Sequence, residues 1–202
     1  MLGVRYVARS TLFITTLIWI GMRVIYNPAP INDATIQSLE HSWVSILVVN
    51  QHEAVQLASY LPASILAIPR SSPENEYQVA FDALTHKFPQ MTMIVTLGEQ
   101  GCYVYEPATP SELKSGGLSV TSRYHVPSFH VDHVVDSTAA GDTFIGNLAA
   151  HLAHGLALEQ AVRHATVAAA VSVTRRGALD SCPSMSEYRH LMNADVRLIR
   201  HL

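Results

Sequence analysis

The chain has 202 residues, 49% of them apolar and 14% charged, with a formal net charge of −3. That length suits one domain with a sizeable core, and the composition is globular rather than disordered. No run of Lys or Arg marks a nucleic-acid or polybasic membrane surface, so nucleic acid is not an expected partner. Two cysteines, Cys102 and Cys182, form neither a disulfide framework nor a zinc spacing, which points to a reducing, cytoplasmic setting and to ordinary buried or semi-buried thiols.

Residues 1–20 stand apart from the rest. Leu12 to Met22 reads LFITTLIWIGM, preceded by Arg5 and Arg9. The run suits either a buried helix or strand at the start of a soluble domain, or a signal-peptide core or short anchor. It is shorter than the about 20 apolar residues of a membrane span, and no small-residue cleavage site follows, so a membrane partner is not expected. From residue 21 onward the pattern is regular. Met22–Tyr26 reads as a strand ended by Asn27-Pro28-Ala29-Pro30, and Asp33–Glu40 as a weak helix. Val44–Val49 is a continuous apolar run, as in a strand buried on both faces. Glu53–Tyr60 predicts a short helix, Pro69–Asn75 a loop, Val79–Phe88 an amphipathic helix and Met91–Leu97 a second buried strand. Cys102–Tyr105 predicts a strand paired back across Gly98–Gly101. Pro107–Gly117 reads as a surface insertion, and Tyr124–Val131 as a strand. A helix runs from Gly141 to about His154 with Gly155 as its stop, and a second from Leu158 to Thr174, whose Ala/Val run at 165–173 is core packing. Strands alternating with helices in apolar runs predict an α/β layered domain with a mostly parallel sheet.

Chemistry concentrates in Val135-Asp136-Ser137-Thr138-Ala139-Ala140-Gly141-Asp142-Thr143-Phe144. Small residues at 137–141 let a ligand approach the backbone. The helix that follows opens with N–H groups lacking internal partners, an end that binds anions, phosphate above all. Asp142 there is either a functional carboxylate or a simple cap. Asn50-Gln51-His52-Glu53 and Thr96-Leu97-Gly98-Glu99-Gln100-Gly101 each follow a buried strand, the end at which open parallel sheets bind ligands. His130 and His133 flank Asp132, and His151 and His154 lie one helical turn apart. Either pair makes half a zinc site without a third ligand, and surface histidines are expected.

Together these segments resemble the ribokinase, or PfkB, family of carbohydrate kinases. DSTAAGDTF at 136–144 resembles that family's C-terminal signature. NPAP at 27–30, NQHE at 50–53, VTLGEQG at 95–101 and HATVAAAVSVTRRGA at 164–178 resemble further segments of it. The resemblance implies a ribokinase-like (Rossmann-like) fold and transfer of the ATP γ-phosphoryl to a sugar hydroxyl, D-ribose giving D-ribose 5-phosphate. It implies that Asp142 is the general base and that Ala139, Ala140 and Gly141 offer N–H groups to the γ-phosphate. Asn50 and Glu53 would lie near the phosphates, with Glu53 placing hydrated Mg²⁺, and Thr96, Leu97, Gly98, Glu99, Gln100 and Gly101 would cradle the nucleotide. Asp136, Thr138, Ser172, Arg175, Gly177 and Ser181 match a potassium site whose ligands are mostly backbone carbonyls. Thr166 departs from a usual His or Asn beside the adenine, and Ser137 from a usual Thr.

The family's N-terminal sugar-binding residues and β lid have no match in this sequence. The expectation is therefore an incomplete fold with a long apolar sheet edge, and weak or no sugar phosphorylation by this chain alone. A kinase for another sugar or nucleoside, and a non-catalytic nucleotide-binding remnant or subunit, are the alternatives. Family members often form homodimers through the lid, which leaves the oligomeric state of this chain open.

Overall fold

The computed structural model describes residues 22–40, 43–66, 76–108, 121–188 and 190. Leu12–Ile20, the Pro69–Asn75 loop and all but residues 107 and 108 of the expected insertion lie outside the described residues. The described residues group into two compact units, 22–97 with 102–125, and 98–101 with 126–190.

The first unit is built on a sheet. Strands β1 (Ile25–Tyr26), β2 (Ile46–Asn50), β3 (Thr92–Thr96), β4 (Cys102–Glu106) and β5 (Ser122–Val126, its last residue opening the second unit) lie in that order. β1, β2 and β3 run parallel, with Ile25 opposite Ile46 and Leu47 opposite Met93, and β4 returns antiparallel beside β3. The sheet is thus mixed and mostly parallel, as the apolar runs predict. β2 and β3 are buried on both faces: Leu47, Val49, Met93 and Val95 on one, Ile46, Val48 and Ile94 on the other. That double burial is why neither strand alternates polar with apolar. β1 is only two residues long, so the long apolar edge expected there is not found among the described residues.

Four helices belong to this unit: α1 (Asp33–Glu40), α2 (Gln51–Ala58), α3 (Ala63–Leu66) and α4 (Glu76–Lys87). Helix α1 is weak in propensity but capped, since Asn32 Oδ1 accepts from Thr35 N at 3.2 Å and Thr35 Oγ1 accepts from Asn32 N at 3.1 Å. Leu57 and Ala58 of α2 join Ala80, Phe81, Ala83 and Leu84 of α4 in one cluster with the Leu47, Val49, Met93, Val95 face of the sheet. Helix α2 starts two residues earlier than the apolar pattern indicates, and α3 was not expected at all. Asn27 Nδ2 reaches back to Val48 O at 2.8 Å, and the Ala29–Pro30 bond is cis.

The second unit centres on a helical hairpin of α5 (Ala140–Ala153) and α6 (Leu158–Ser172), joined through Gly155. Phe144, Leu148 and Leu152 recur every four residues along α5 and are buried, as are Ala161, Val162, Ala165 and Ala168 on α6. The strand expected over Tyr124–Val131 ends at Val126. Pro127 follows, and a residue with no N–H cannot extend the ladder.

Arg123 shows how the margin of the sheet is held. Its guanidinium donates to Asp82 Oδ1 at 2.5 Å and Thr85 Oγ1 at 2.8 Å on α4, and lies 5.6 Å from the Phe81 ring centroid and 5.4 Å from that of Tyr105. Both ionic partners are more than a third exposed, so the ion pair itself is weak and the aromatic contacts matter as much. Arg123→Ala is therefore expected to cost about 1 kcal/mol in urea unfolding. Leu84→Ala, which empties a fully buried site on the same helix, is expected to cost about 2–5 kcal/mol.

Candidate active site

The residues singled out above fall into a group in each unit. In the first unit, Asn50 and Thr96 are register partners at the carboxyl ends of β2 and β3. Asn50 is also the N-cap of α2. Its Oδ1 accepts from Glu53 N at 2.9 Å, and Glu53 Oε2 accepts from Asn50 N at 2.8 Å. This is a reciprocal capping box, and it fixes both side chains beside the start of a helix. The Asn-x-x-Glu spacing carries that signal in the sequence. Thr96 donates to Val49 O at 3.5 Å, and Leu97 is buried.

In the second unit, Gly98–Gln100 forms one 3₁₀ turn with Glu99 and Gln100 exposed. The two glycines flanking that turn differ in kind. A Cβ at Gly98 would meet nothing within 4 Å, whereas one at Gly101 would lie 2.1 Å from Val126 O and 2.6 Å from Ser128 N. Gly101, at φ 88°, is thus required by the chain's own packing, independently of any ligand.

The start of α5 is partly exposed, with Gly141 and Asp142 open to solvent. Its N-cap is Ala139, held left-handed at φ 61° and ψ 13° with no side-chain cap. Asp142 is in the first turn and exposed, and makes no hydrogen bond or ion pair among the described residues, so the simple-cap reading of this carboxylate is set aside. Of the N–H groups there, Ala140 donates to Ser137 O at 3.3 Å, while those of Ala139 and Gly141 have no acceptor among the described residues. A Cβ at Gly141 would meet nothing within 4 Å. Among the described residues, the helix opens with free donors, room beside them and one free carboxylate.

The loop before α5 is tied to the loop after α6. Asp136 Oδ1 accepts from Thr138 N at 2.9 Å and Oδ2 from Gly177 N at 3.3 Å, while Val173 O accepts from Val135 N at 2.8 Å and Asp136 N at 3.2 Å. Hydrogen bonds from Thr138 and then Gly177, with the Arg176 charge nearby, hold the Asp136 carboxyl below the usual carboxylate range. The hydroxyls of buried Ser172 and Ser181 donate to Ala169 O at 2.8 Å and Ala178 O at 3.0 Å. Arg175 pairs with Glu187 Oε1 at 3.1 Å, and Ser184 and Arg175 together hold the Glu187 carboxyl down at about 2. An open groove of ≈ 630 Å³ beside them is lined by Val171, Thr174, Arg175, Ser186, Glu187 and His190.

The sequence matches the model of the pfkB family of carbohydrate kinases over residues 15–185. The chain belongs to that family. It is 34% identical to the ribokinase of Schizosaccharomyces pombe over 171 residues, covering 83% of this chain and 46% of that protein. A crystal structure of ribokinase from Thermotoga maritima is 29% identical and superimposes with a TM-score of 0.63 over 86% of this chain and 50% of that one. Arabidopsis thaliana ribokinase complexed with ribose and ATP, at 22% identity and a TM-score of 0.66, shares the fold over 88% of this chain and 50% of its own. The chain spans about half the length of the relatives it matches.

Several other expectations for the pfkB chain are settled by the geometry. Thr166, the departure from the family's usual residue, is buried and turns its hydroxyl onto Arg163 O at 2.7 Å of its own helix. Cys102 is buried and its thiol is pushed up to about 12 by that burial, which removes it as a nucleophile. Cys182, expected to be at least semi-buried, is exposed. His130 and His133 are exposed as expected, but His151 is half-buried against His164 and Tyr188. No group of three or more metal-binding side chains of the His, Cys, Asp and Glu types occurs among the described residues. No helix among them is long and apolar enough to cross a membrane.

The Asp136 bridge has a pH signature. Its folded carboxyl titrates below its unfolded value, so its stabilisation is complete above the unfolded carboxylate range and is lost as pH falls through the folded value. Asp136→Asn is expected to flatten the acid side of the stability profile, from the unfolded carboxylate range downward, read as urea midpoints. An unchanged acid limb would mean that the bridge carries none of it.

Proposed function

We propose that this chain handles the nucleotide and the catalytic proton in an ATP-dependent sugar kinase reaction of the ribokinase type. The substrate class is a sugar with a primary hydroxyl, D-ribose giving D-ribose 5-phosphate. The observation that carries the reading is the start of α5, where a left-handed Ala139 leaves donors, and Asp142 beside them, without partners among the described residues. Phosphoryl transfer is catalysed almost entirely by positioning and charge stabilisation, and this end supplies both. Asp142 takes the proton as the sugar oxygen forms its bond to the γ-phosphorus and the bond to the ADP oxygen breaks. The N–H groups of Ala139 and Gly141 meet the charge on the γ-phosphoryl oxygens, with Ala140 joining them once its long bond to Ser137 O is given up.

Asn50 and Glu53 lie at the end of a buried parallel strand, the position from which Glu53 would orient water around Mg²⁺. Thr96 to Gly101 would border the nucleotide, with open space at Gly98 for close approach. Potassium would be held by Asp136 and by carbonyls of the 172–181 loop. The Ser172 and Ser181 hydroxyls are committed to nearby carbonyls, in keeping with backbone ligation. A cytoplasmic location, where ATP is available, belongs to the same reading.

Thermal unfolding of the purified chain with MgATP tests it. A saturable rise is expected, worth about 2.7 kcal/mol at a hundredfold excess over Kd. It should be larger with potassium and smaller in Asp136→Ala. No response to ATP would overturn the nucleotide role, and binding without transfer to any sugar would favour a nucleotide-binding subunit. Glu53→Gln separates fold from function, because glutamine keeps the acceptor of the capping box. Stability should stay within about 0.5 kcal/mol while the Mg²⁺ concentration needed for the ATP effect rises. Unchanged Mg²⁺ dependence would remove Glu53 from the cation's surroundings.

A further inference from the structure

Three residues of the second unit, one buried and two half-buried, form a polar relay that the phosphoryl-transfer chemistry does not use. His151 on α5 and His164 on α6 stack with ring centroids 4.5 Å apart and planes 15° from parallel. The hydroxyl of Tyr188, itself 8% exposed, lies between them. It is 2.9 Å from His151 Nε2 and in hydrogen-bond contact with His164 Nδ1. His151 Nδ1 faces Asn147 O at 2.8 Å.

Donor and acceptor rules fix the direction of this relay. A carbonyl only accepts, so His151 carries its proton on Nδ1 and leaves Nε2 as an acceptor. The Tyr188 hydroxyl donates to that Nε2, and its oxygen accepts from His164 Nδ1–H. Every member is satisfied only while His151 is neutral, because His164 donates from Nδ1 whether or not its Nε2 carries a proton. A proton added to His151 Nε2 turns the acceptor of the Tyr188 hydroxyl into a donor, and a proton on each ring places two cations face to face. The phenol cannot compensate by ionising, because burial pushes Tyr188 up to about 12. Burial, and then the charge of His151, lower the pKa of His164.

The neighbouring charges leave the relay isolated. On α5, His154 turns to Ala150 O at 2.7 Å. On α6, Arg163 is paired with Glu159 at 2.8 Å. On the 184–190 segment, Glu187 is held by Ser184 and Arg175, and His190 is exposed. The only charge acting on His164 among the described residues is that of His151.

We propose that His151, His164 and Tyr188 are a proton-operated latch that fastens the 184–188 segment onto α5 and α6 in the neutral range and releases it in mild acid. The direction follows from the geometry, since a proton on His151 Nε2 removes the acceptor of the Tyr188 hydroxyl, and from linkage at His164, whose lowered folded value gives stability that is complete above the unfolded histidine range and is lost as pH falls through the folded value. Tyr188 ends the stretch that begins at Gly177 and includes Ser181, so release frees one anchor of the loop tied to Asp136.

The test is amide hydrogen exchange on the full chain, compared as protection factors at about pH 8 and pH 5.5, either side of the free histidine value. Protection across 184–188 should fall about fivefold or more in acid, the scale of one lost hydrogen bond, while β2 and β3 keep theirs. In the His151→Gln/His164→Gln chain the difference should vanish. Tyr188→Phe, which keeps the ring and deletes the hydroxyl, should lower protection at pH 8 toward the acid value. Equal wild-type protection at both pH values would overturn the latch, as would a simultaneous loss in β2 and β3 or a double variant retaining the wild-type difference. If the double variant fails to fold, the wild-type comparison and Tyr188→Phe still decide.

Discussion

Asp136 sits one helical hairpin away from Gly177 in sequence and a single hydrogen bond away in space. Its two carboxylate oxygens accept from backbone N–H groups on opposite sides of α5 and α6, so one side chain closes the hairpin at the end where α5 begins. Neither loop has regular structure to orient it. Without that closure the Val173 carbonyl would remain to tie the start of the segment to the end of α6, with the bonds of Ser137 O and Ala139 O reaching only into the first turn of α5. The left-handed turn at Ala139, and with it the direction of the free N–H groups, depends on how that short segment enters the helix. An ionised carboxylate suits this work because it accepts from both sides at once and is stabilised by each donor.

The first unit solves a related problem differently. A buried parallel strand must pass straight into a helix at the end where ligands bind, and the strand-end amide groups need partners. Asn50 and Glu53 supply them to each other. The same two side chains are those the pfkB resemblance assigns to the phosphates and Mg²⁺, and the capping box orders both of them through the chain's own hydrogen bonds.

Much of this was legible in the sequence. The continuous runs at 44–49 and 91–97 mark strands buried on both faces, and the glycine-bearing turn before Cys102 marks the antiparallel return of β4. Helix boundaries were less so: α2 begins at Gln51 because its cap is a polar residue at a strand end, invisible to apolar periodicity. The strand near Tyr124 shifts because its anchor is Arg123, a charged residue whose partners on α4 lie 38 and 41 residues away. Asp142 stood out by its motif, but its freedom from capping duty depends on Ala139 adopting a conformation that alanine seldom takes. The His151–His164–Tyr188 relay had no sequence signal, since its partners are 24 and 37 residues apart and none belongs to a recognisable motif.

Ala139 has a consequence for any attempt to make this chain sturdier. Its left-handed backbone stores roughly 1–2 kcal/mol that glycine would not. A search for stabilising substitutions would therefore be drawn to this position. Glycine would relieve the strain and also give the turn a second way to lie, so the ordered row of donors ahead of Asp142 would become one arrangement among several. The strained residue trades thermodynamic comfort for aim, and robustness gained at 139 would come out of the site's readiness.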